Sequence, residues 1–154
     1  RREPRRNLHA MPNQTLGTLN NNLRERAAAV AATLTPQEQG VIAYHRGNLK
    51  LEATHNGKPM TALTVGPKVR AGPHAGKFAS VPSFVPGVND SKPMSEDQAL
   101  DYWQKDIDAG KWPIYNTGPE LNARTGALHT IMEVDVEDYV PPSAGKTLGT
   151  MPKK

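Results

Sequence analysis

The longest regular pattern of apolar positions in the chain lies near its N-terminus. The stripe has spacings of three and four and consists of Leu16, Leu19, Leu23, Ala27, Val30 and Leu34. Residues at these spacings share one face of a helix. The pattern therefore predicts a helix over residues 15–34, packed against a sheet or a second helix. A coiled coil is the weaker alternative because the stripe is short.

A second helical pattern begins at Ser95, which forms a capping-box signature with Gln98. A buried stripe of Leu100, Trp103 and Ile107 follows, with Tyr102 beside it, and Gly110 is placed to end the helix. The apolar run Trp112–Tyr115 is expected to turn back onto this helix. A third helix is predicted from about Pro119 through Met132, weakened by Gly126.

Between these helices the pattern predicts turns and short strands. Thr35, Pro36 and Glu38 form another capping signature, but Gly40 follows so soon that we expect only one helical turn. Leu49, Leu51 and Ala53 alternate with polar residues, and Asn56–Gly57 favours a two-residue hairpin turn, with Pro59 on an edge strand. Another short strand is expected around Phe78–Val85, broken by Pro82. The alternation in EVDVEDYVPP predicts an edge strand near residue 135.

These elements predict an α+β fold: a small mixed domain with a short antiparallel β-hairpin or sheet, two to three helices and extended basic ends. The expected organisation is a basic N-terminal arm over residues 1–14, a domain over 15–140, and a C-terminal arm over 141–154. Apolar residues make up 36% of the chain, below the roughly 45–50% of an average globular protein. We therefore expect a self-sufficient core over only part of the length, and ends that depend on a partner for order.

Charge is divided unevenly along the chain, whose net charge is +4. Residues 1–94 carry 13 Lys and Arg against 5 Asp and Glu, whereas residues 95–139 carry 3 against 10. Three lysines follow in residues 140–154. Such a division suits head-to-tail contact with copies of the chain or with other subunits, although solvated faces of different sign are an equal alternative.

The sequence offers no recognisable catalytic constellation. Its five histidines are scattered without a metal-ligand spacing, and cysteine is absent. Gly76–Lys77 and Gly145–Lys146–Thr147 lack the spacing of a phosphate loop. We therefore expect no enzyme, no cofactor and no metal site. An enzyme of unrecognised type would require His45, His55 or His129 to converge with acidic groups. No apolar run approaches the roughly 18 residues of a membrane span.

Residues 76–132 resemble a short module of bacteriophage virion proteins, especially internal and ejection polypeptides. The motifs that carry the resemblance are Val81–Pro82–Ser83, Gly87, Ser95–Glu96–Asp97, Gly110–Lys111–Trp112, Asn122–Ala123 and Leu128–His129. The chain departs from the pattern at Trp112–Tyr115, which replaces a more polar turn, and residues 1–75 lie outside it. The resemblance implies a phage-particle context and no catalytic residue.

The expected function is that of a non-enzymatic structural component of a bacteriophage particle, in the head, portal–tail region or tail, that stabilises contacts between other subunits. Its expected partners are other virion structural proteins in a symmetric assembly, and its expected location is the virion, assembled in the bacterial cytoplasm. The candidate partner-binding residues are Arg1, Arg2, Arg5, Arg6, Trp112, Tyr115, Lys153 and Lys154. The alternative is a DNA-associated internal protein, packaged or ejected with the genome, that contacts nucleic acid through its basic arm.

Overall fold

The structure is a computed structural model that describes residues 16–90 and 92–140. Its helices are α1 (Leu16–Ala31), α2 (Pro36–Lys50), α3 (Glu96–Asp108) and α4 (Gly118–Asp138). Its strands are β1 (Thr54–His55), β2 (Lys58–Pro59), β3 (Thr64–Val65), β4 (Phe78–Ala79), β5 (Val81–Pro82) and β6 (Ile114–Tyr115). The predicted α+β class is confirmed, with four helices in the described residues instead of two or three.

Helix α1 packs antiparallel to α4. Arg24 in α1 contacts Asp138 at the end of α4, whereas Thr33, just after α1, lies beside Arg124 near the start of α4. Ala27 is buried between the two helices and Val30 packs against the core. The predicted packing of this helix against a second helix is confirmed through Ala27 and Val30, and the helix ends at Ala31, before Leu34.

Helix α2 is longer than predicted. The capping box is present, with Thr35 as the N-cap and Glu38 at the third helical position. The helix then continues through Gly40 to Lys50, and the expectation of a single turn was wrong. A glycine costs a helix about 1 kcal/mol. Burial of Val41 and Ile42 on the following turn offsets that cost, because tertiary packing supplies most of a helix's stability.

The strands are short and pair in three separate antiparallel sheets, β1–β2, β3–β5 and β4–β6. The hairpin at Asn56–Gly57 is confirmed, and both residues have the positive φ that this turn requires, 56° and 78°. The strand predicted to begin at Leu49 was wrong. Leu49 belongs to α2, and Leu51 follows the helix with 71% of its surface exposed. The segment around Pro82 forms two strands that pair with different partners.

Helix α3 is confirmed from its capping box at Ser95 to the left-handed Gly110 that follows it, whose φ is 78°. Helix α4, in contrast, extends six residues beyond Met132. The edge strand predicted there was wrong, because Leu128, Ile131 and Asp135 follow the helical period on the face that contacts the rest of the domain. The alternation of Val134 and Val136 with carboxylates is a coincidence within this helix.

An aromatic cluster joins α2, α3 and the segment before β6. Trp112 lies edge-on to Trp103, with ring centroids 5.0 Å apart, and to Tyr44 at 5.9 Å. Trp103 donates a hydrogen bond from Nε1 to the Pro82 carbonyl, and Tyr44 donates from its hydroxyl to the Phe84 carbonyl. The segment Trp112–Tyr115 thus returns onto α3 as predicted: Trp112 contacts Trp103 of α3 in the core, and Ile114–Tyr115 form strand β6.

Candidate functional site

Glu38 is the most heavily hydrogen-bonded buried charge in the described part of the chain, with 1% of its surface exposed. Arg124 donates two hydrogen bonds to it, from Nε to Oε2 at 2.9 Å and from Nη2 to Oε1 at 2.8 Å. The Tyr115 hydroxyl donates to Oε2 at 2.6 Å, and the Thr35 amide donates to Oε1 at 3.1 Å. One carboxylate therefore ties the start of α2 to β6 and to α4.

The hydrogen bonds at Glu38 decide its protonation state. Burial alone would raise the pKa of this carboxyl group, but hydrogen bonds from Arg124, Tyr115 and the Thr35 backbone outweigh it and lower the pKa to about 2. Burial and the adjacent carboxylate raise the pKa of Tyr115. Glu38 is therefore ionised and Tyr115 is a neutral donor at neutral pH. The charged hydrogen bonds of this cluster therefore join α2, β6 and α4 at neutral pH.

His45 is the centre of a second buried polar cluster, and its ring is fully shielded from solvent. Its Nε2 atom lies 3.1 Å from Oδ2 of Asp135 in α4, and its Nδ1 atom contacts the Thr61 hydroxyl. Arg46 also donates to Asp135, from Nε to Oδ2 at 2.8 Å. One helical turn further along α2, the Asn48 side chain donates to the Thr61 carbonyl at 2.7 Å. Thr61 is thus held through both its side chain and its backbone.

The partners of His45 define its tautomer. An ionised Asp135 can only accept, so the proton resides on Nε2, and Nδ1 accepts the hydrogen bond from the Thr61 hydroxyl. Burial lowers the pKa of His45, Asp135 offsets part of that effect, and Arg46 lowers it further. The imidazole is therefore neutral at neutral pH. The hydrogen bonds therefore run from the Thr61 hydroxyl through the His45 imidazole to the Asp135 carboxylate.

A cavity of about 470 Å³ opens beside this cluster, between α1 and α4. Its buried floor contains His45, Thr61 and Met132. Its outer wall consists of Leu23 from α1 and a row from α4, namely His129, Glu133, Val136 and Glu137. Residues 129, 133 and 137 are four apart and therefore lie along one face of the helix. We call this feature the α1–α4 groove.

The last six residues of α4 contain four carboxylates, and we call this segment the acidic end. They are Glu133, Asp135, Glu137 and Asp138. The C-terminus of a helix carries a partial negative charge, so carboxylates there are unfavourable. Two arginines compensate in part. Arg24 makes two hydrogen bonds to Asp138 and lies 3.8 Å from Glu137, and Arg46 binds Asp135. The acidic end therefore keeps an excess of negative charge on the wall of the groove.

The candidate partner-binding residues fall into two groups. Arg1, Arg2, Arg5, Arg6, Lys153 and Lys154 lie outside the described residues, as do both predicted arms. Trp112 and Tyr115 are buried, with 8% and 7% of their surfaces exposed. Both side chains contact the core and offer little surface to a partner, so their role in partner binding stays a prediction.

The histidines and acidic residues are brought together only in part. His45 and His129 share the α1–α4 groove, and His45 also contacts Asp135. Across residues 16–90 and 92–140, no group of three His, Asp or Glu side chains is arranged to hold a metal ion. None of the four described helices is both long and apolar enough to cross a bilayer.

No family model, curated protein or solved structure matches the chain significantly. The site is therefore defined by its own geometry. Neither polar cluster was predicted from the sequence, because the contacts of Glu38 with β6 and α4 and of His45 with Asp135 join residues that are 77 to 90 positions apart. The available signal was the helical spacing of Val41, His45 and Asn48, which becomes visible only if α2 is continued through Gly40.

Proposed function

We propose that this chain is a structural component of a bacteriophage particle and that it stabilises contacts between other subunits. Two features support the proposal. The first is the resemblance of residues 76–132 to a module of phage virion proteins. The second, on which the proposal mainly depends, is the acidic end of α4, where exposed negative charge is concentrated at the least favourable position of the helix.

The acidic end has the composition of a contact surface. Exposed apolar side chains accompany its carboxylates: Val136 within the last turn, with 40% of its surface exposed, and Val140 just after it, with 74%. Burial, and to a smaller extent the negative charge of Glu52 just after α2, raise the pKa of Tyr139 at the end of α4. Places where a sequence breaks a local rule are often functional sites. A cationic partner would relieve the repulsion here and cover the apolar side chains.

Fractionation of purified particles tests this proposal. Particles of the phage that encodes the chain are opened by osmotic shock, treated with nuclease and sedimented. A structural component stays with the emptied shells or tails. Release together with the genome would instead favour the DNA-associated alternative. Absence from purified particles would overturn both.

A second candidate function, acyl transfer by Thr61, is favoured by one specific observation. The Thr61 hydroxyl, the neutral His45 ring and the Asp135 carboxylate have the order of nucleophile, base and orienting acid. In this reaction Thr61 Oγ1 would attack an ester carbonyl, Nδ1 would take the hydroxyl proton, and the leaving alcohol would receive it. Water would then release the acid by the same route.

An activated ester provides the test of this second candidate. The wild-type chain, Thr61→Ser and Thr61→Val are compared for release of p-nitrophenol from p-nitrophenyl acetate. Acyl transfer predicts activity in the first two proteins and none in the third, together with an acetyl group on residue 61 in a trapped sample. Equal background rates of p-nitrophenol release in all three proteins would show that the cluster does not carry out acyl transfer and has a structural role.

A further inference from the structure

We infer that the α1–α4 groove is the docking site for an arginine-rich segment of a second copy of this chain. This inference rests on the proposed function, because it names a contact through which the chain would assemble. It is carried by the shape of the groove, by the charges on its wall and by the sequence of residues 1–14.

The groove combines an apolar lining with an acidic wall. Leu23, Met132 and Val136 supply the apolar surface, and Glu133 and Glu137 lie on the exposed wall at positions one helical turn apart. A single charged side chain would fill only a small part of the cavity, whose volume is about 470 Å³. An extended segment that alternates cationic and apolar side chains would satisfy both parts of the lining.

The electrostatics favour a cation. Within the described residues no cation lies within ion-pair distance of Glu133, and Glu137 has only the 3.8 Å contact with Arg24. Arg24 itself is directed to Asp138 by two hydrogen bonds, so it neutralises the charge of the wall only in part. The negative end of the α4 dipole adds to the field. A guanidinium group is suited to carboxylates at such a site because it can form paired hydrogen bonds.

The chain contains one segment with the required chemistry. Residues 1–14, RREPRRNLHAMPNQ, carry four arginines and one glutamate, followed by Leu8 and Met11. The arginines match the acidic wall and the two apolar residues match the floor. The opposite end of the sequence, residues 141–154, has three lysines spread over nine positions and is a less suitable match. Contact between the basic N-terminal segment of one copy and the acidic α4 of the next agrees with the division of charge along the chain, which is basic over residues 1–94 and acidic over residues 95–139.

Binding of a synthetic peptide tests the groove directly. A fluorescein-labelled peptide of residues 1–14 is titrated with the full chain at 50 mM salt and followed by anisotropy. The variant Glu133→Gln/Glu137→Gln is expected to bind about tenfold more weakly, since it removes two charge pairs between the peptide and the wall of the groove. The matched control Glu96→Gln/Asp101→Asn removes two exposed charges from α3 and is expected to bind within twofold of wild type.

Two further arms separate specific docking from general attraction. Val136→Thr reduces the apolar surface without changing charge and is expected to weaken binding severalfold. A peptide in which Leu8 and Met11 are replaced by serine should lose a similar factor. Equal weakening by the groove variant and the α3 control, or no effect of the apolar changes, would overturn the docking site. Circular dichroism and thermal melting confirm that each variant is folded.

Sedimentation velocity identifies the occupant. Docking of a second copy predicts that the average mass of the full chain rises with concentration at 50 mM salt and that Glu133→Gln/Glu137→Gln abolishes the rise. A chain that stays monomeric while the groove still binds the peptide would overturn the second-copy assignment and favour its own N-terminal segment as occupant. These results are independent of particle fractionation. A chain found in particles with an inert groove would refute only this inference, and a groove that binds in a chain absent from particles would refute only the proposed function.

Discussion

Arg124 of α4 donates two hydrogen bonds, of 2.9 and 2.8 Å, to the carboxylate of Glu38 in α2. The Glu38 side chain is almost fully shielded from water. The same carboxylate caps α2 through the Thr35 amide and accepts a hydrogen bond from Tyr115. A local helix-capping residue therefore also fixes the tertiary arrangement. Buried charges tolerate the loss of a partner poorly, so this relationship makes direct predictions about stability.

Arg124→Met should destabilise the domain by about 3–5 kcal/mol, because it leaves the Glu38 carboxylate buried without its cation. The double variant Glu38→Gln/Arg124→Met should recover part of the loss, since glutamine can still serve the capping box and carries no charge. Urea unfolding followed by circular dichroism measures both. Independent, additive effects of the two substitutions would contradict a coupled pair.

Tyr115→Phe should cost about 1.5–3 kcal/mol, the range for a hydrogen bond to a charged group. The substitution retains the ring, so packing against the core is preserved. Its effect should shrink strongly in a Glu38→Gln background, where the acceptor is neutral. The same urea experiment checks this, and an equal loss in both backgrounds would show that Tyr115 acts through packing alone.

Stability should decrease in acid in two steps. The pKa of Glu38 is lowered to about 2 from 4.5, so the unfolded chain binds the proton first and stability is lost as pH falls from about 5 towards 2. A shift of this size corresponds to about 3 kcal/mol. The pKa of His45 is also lowered, so a further loss begins when pH falls below about 6.5, where the unfolded histidine becomes protonated.

Urea unfolding between pH 7 and pH 3 separates these contributions. Glu38→Gln should flatten the dependence below pH 5 and leave the change between pH 7 and pH 5 intact. NMR titration of the His45 ring provides the second check, and the ring should remain neutral at pH 6.5. A His45 ring that is half-protonated at or above pH 6.5 would contradict the proposed tautomer and its burial.

Two glycines should respond in opposite ways to replacement by alanine. Gly72 has a φ of 87°, and a Cβ atom there would lie 2.5 Å from Asp108 Oδ1, so Gly72→Ala should cost about 1–3 kcal/mol. Gly126 lies within α4, and a Cβ atom added there would meet no other atom within 4 Å, so Gly126→Ala should stabilise the domain by up to about 1 kcal/mol. Thermal melting measures both. A destabilising Gly126→Ala would contradict a continuous α4.

The sequence predicted the elements whose signals are local. Capping boxes at Thr35 and Ser95, the glycine after α3 and the Asn56–Gly57 turn were all recognisable because their chemistry spans three or four residues. The α+β class followed from them. The length of α2 and the end of α4 did not, because burial of Val41 and Ile131 against distant elements overrides the weak helix preference of glycine and the apparent alternation.

The candidate site was less accessible to prediction. The contact of His45 with Asp135 and of Glu38 with Arg124 depends on how α2 meets α4, and neither pair leaves a signature at a fixed spacing. The charge division along the chain was visible, but its concentration on one wall of a groove required the helical phase of Glu133 and Glu137. The sequence pattern predicts Trp112 in a turn with a candidate partner contact, whereas the fold buries its side chain in the core.

The copy number of the chain in purified phage particles distinguishes a structural component from a contaminant. Quantitative mass spectrometry with isotope-labelled peptides from residues 78–132 would give the number of chains relative to the most abundant particle protein. A structural component should be present at a fixed, reproducible ratio that survives repeated gradient purification and nuclease treatment. A chain that is abundant in the infected cell but falls towards zero with each purification step would contradict the proposed function.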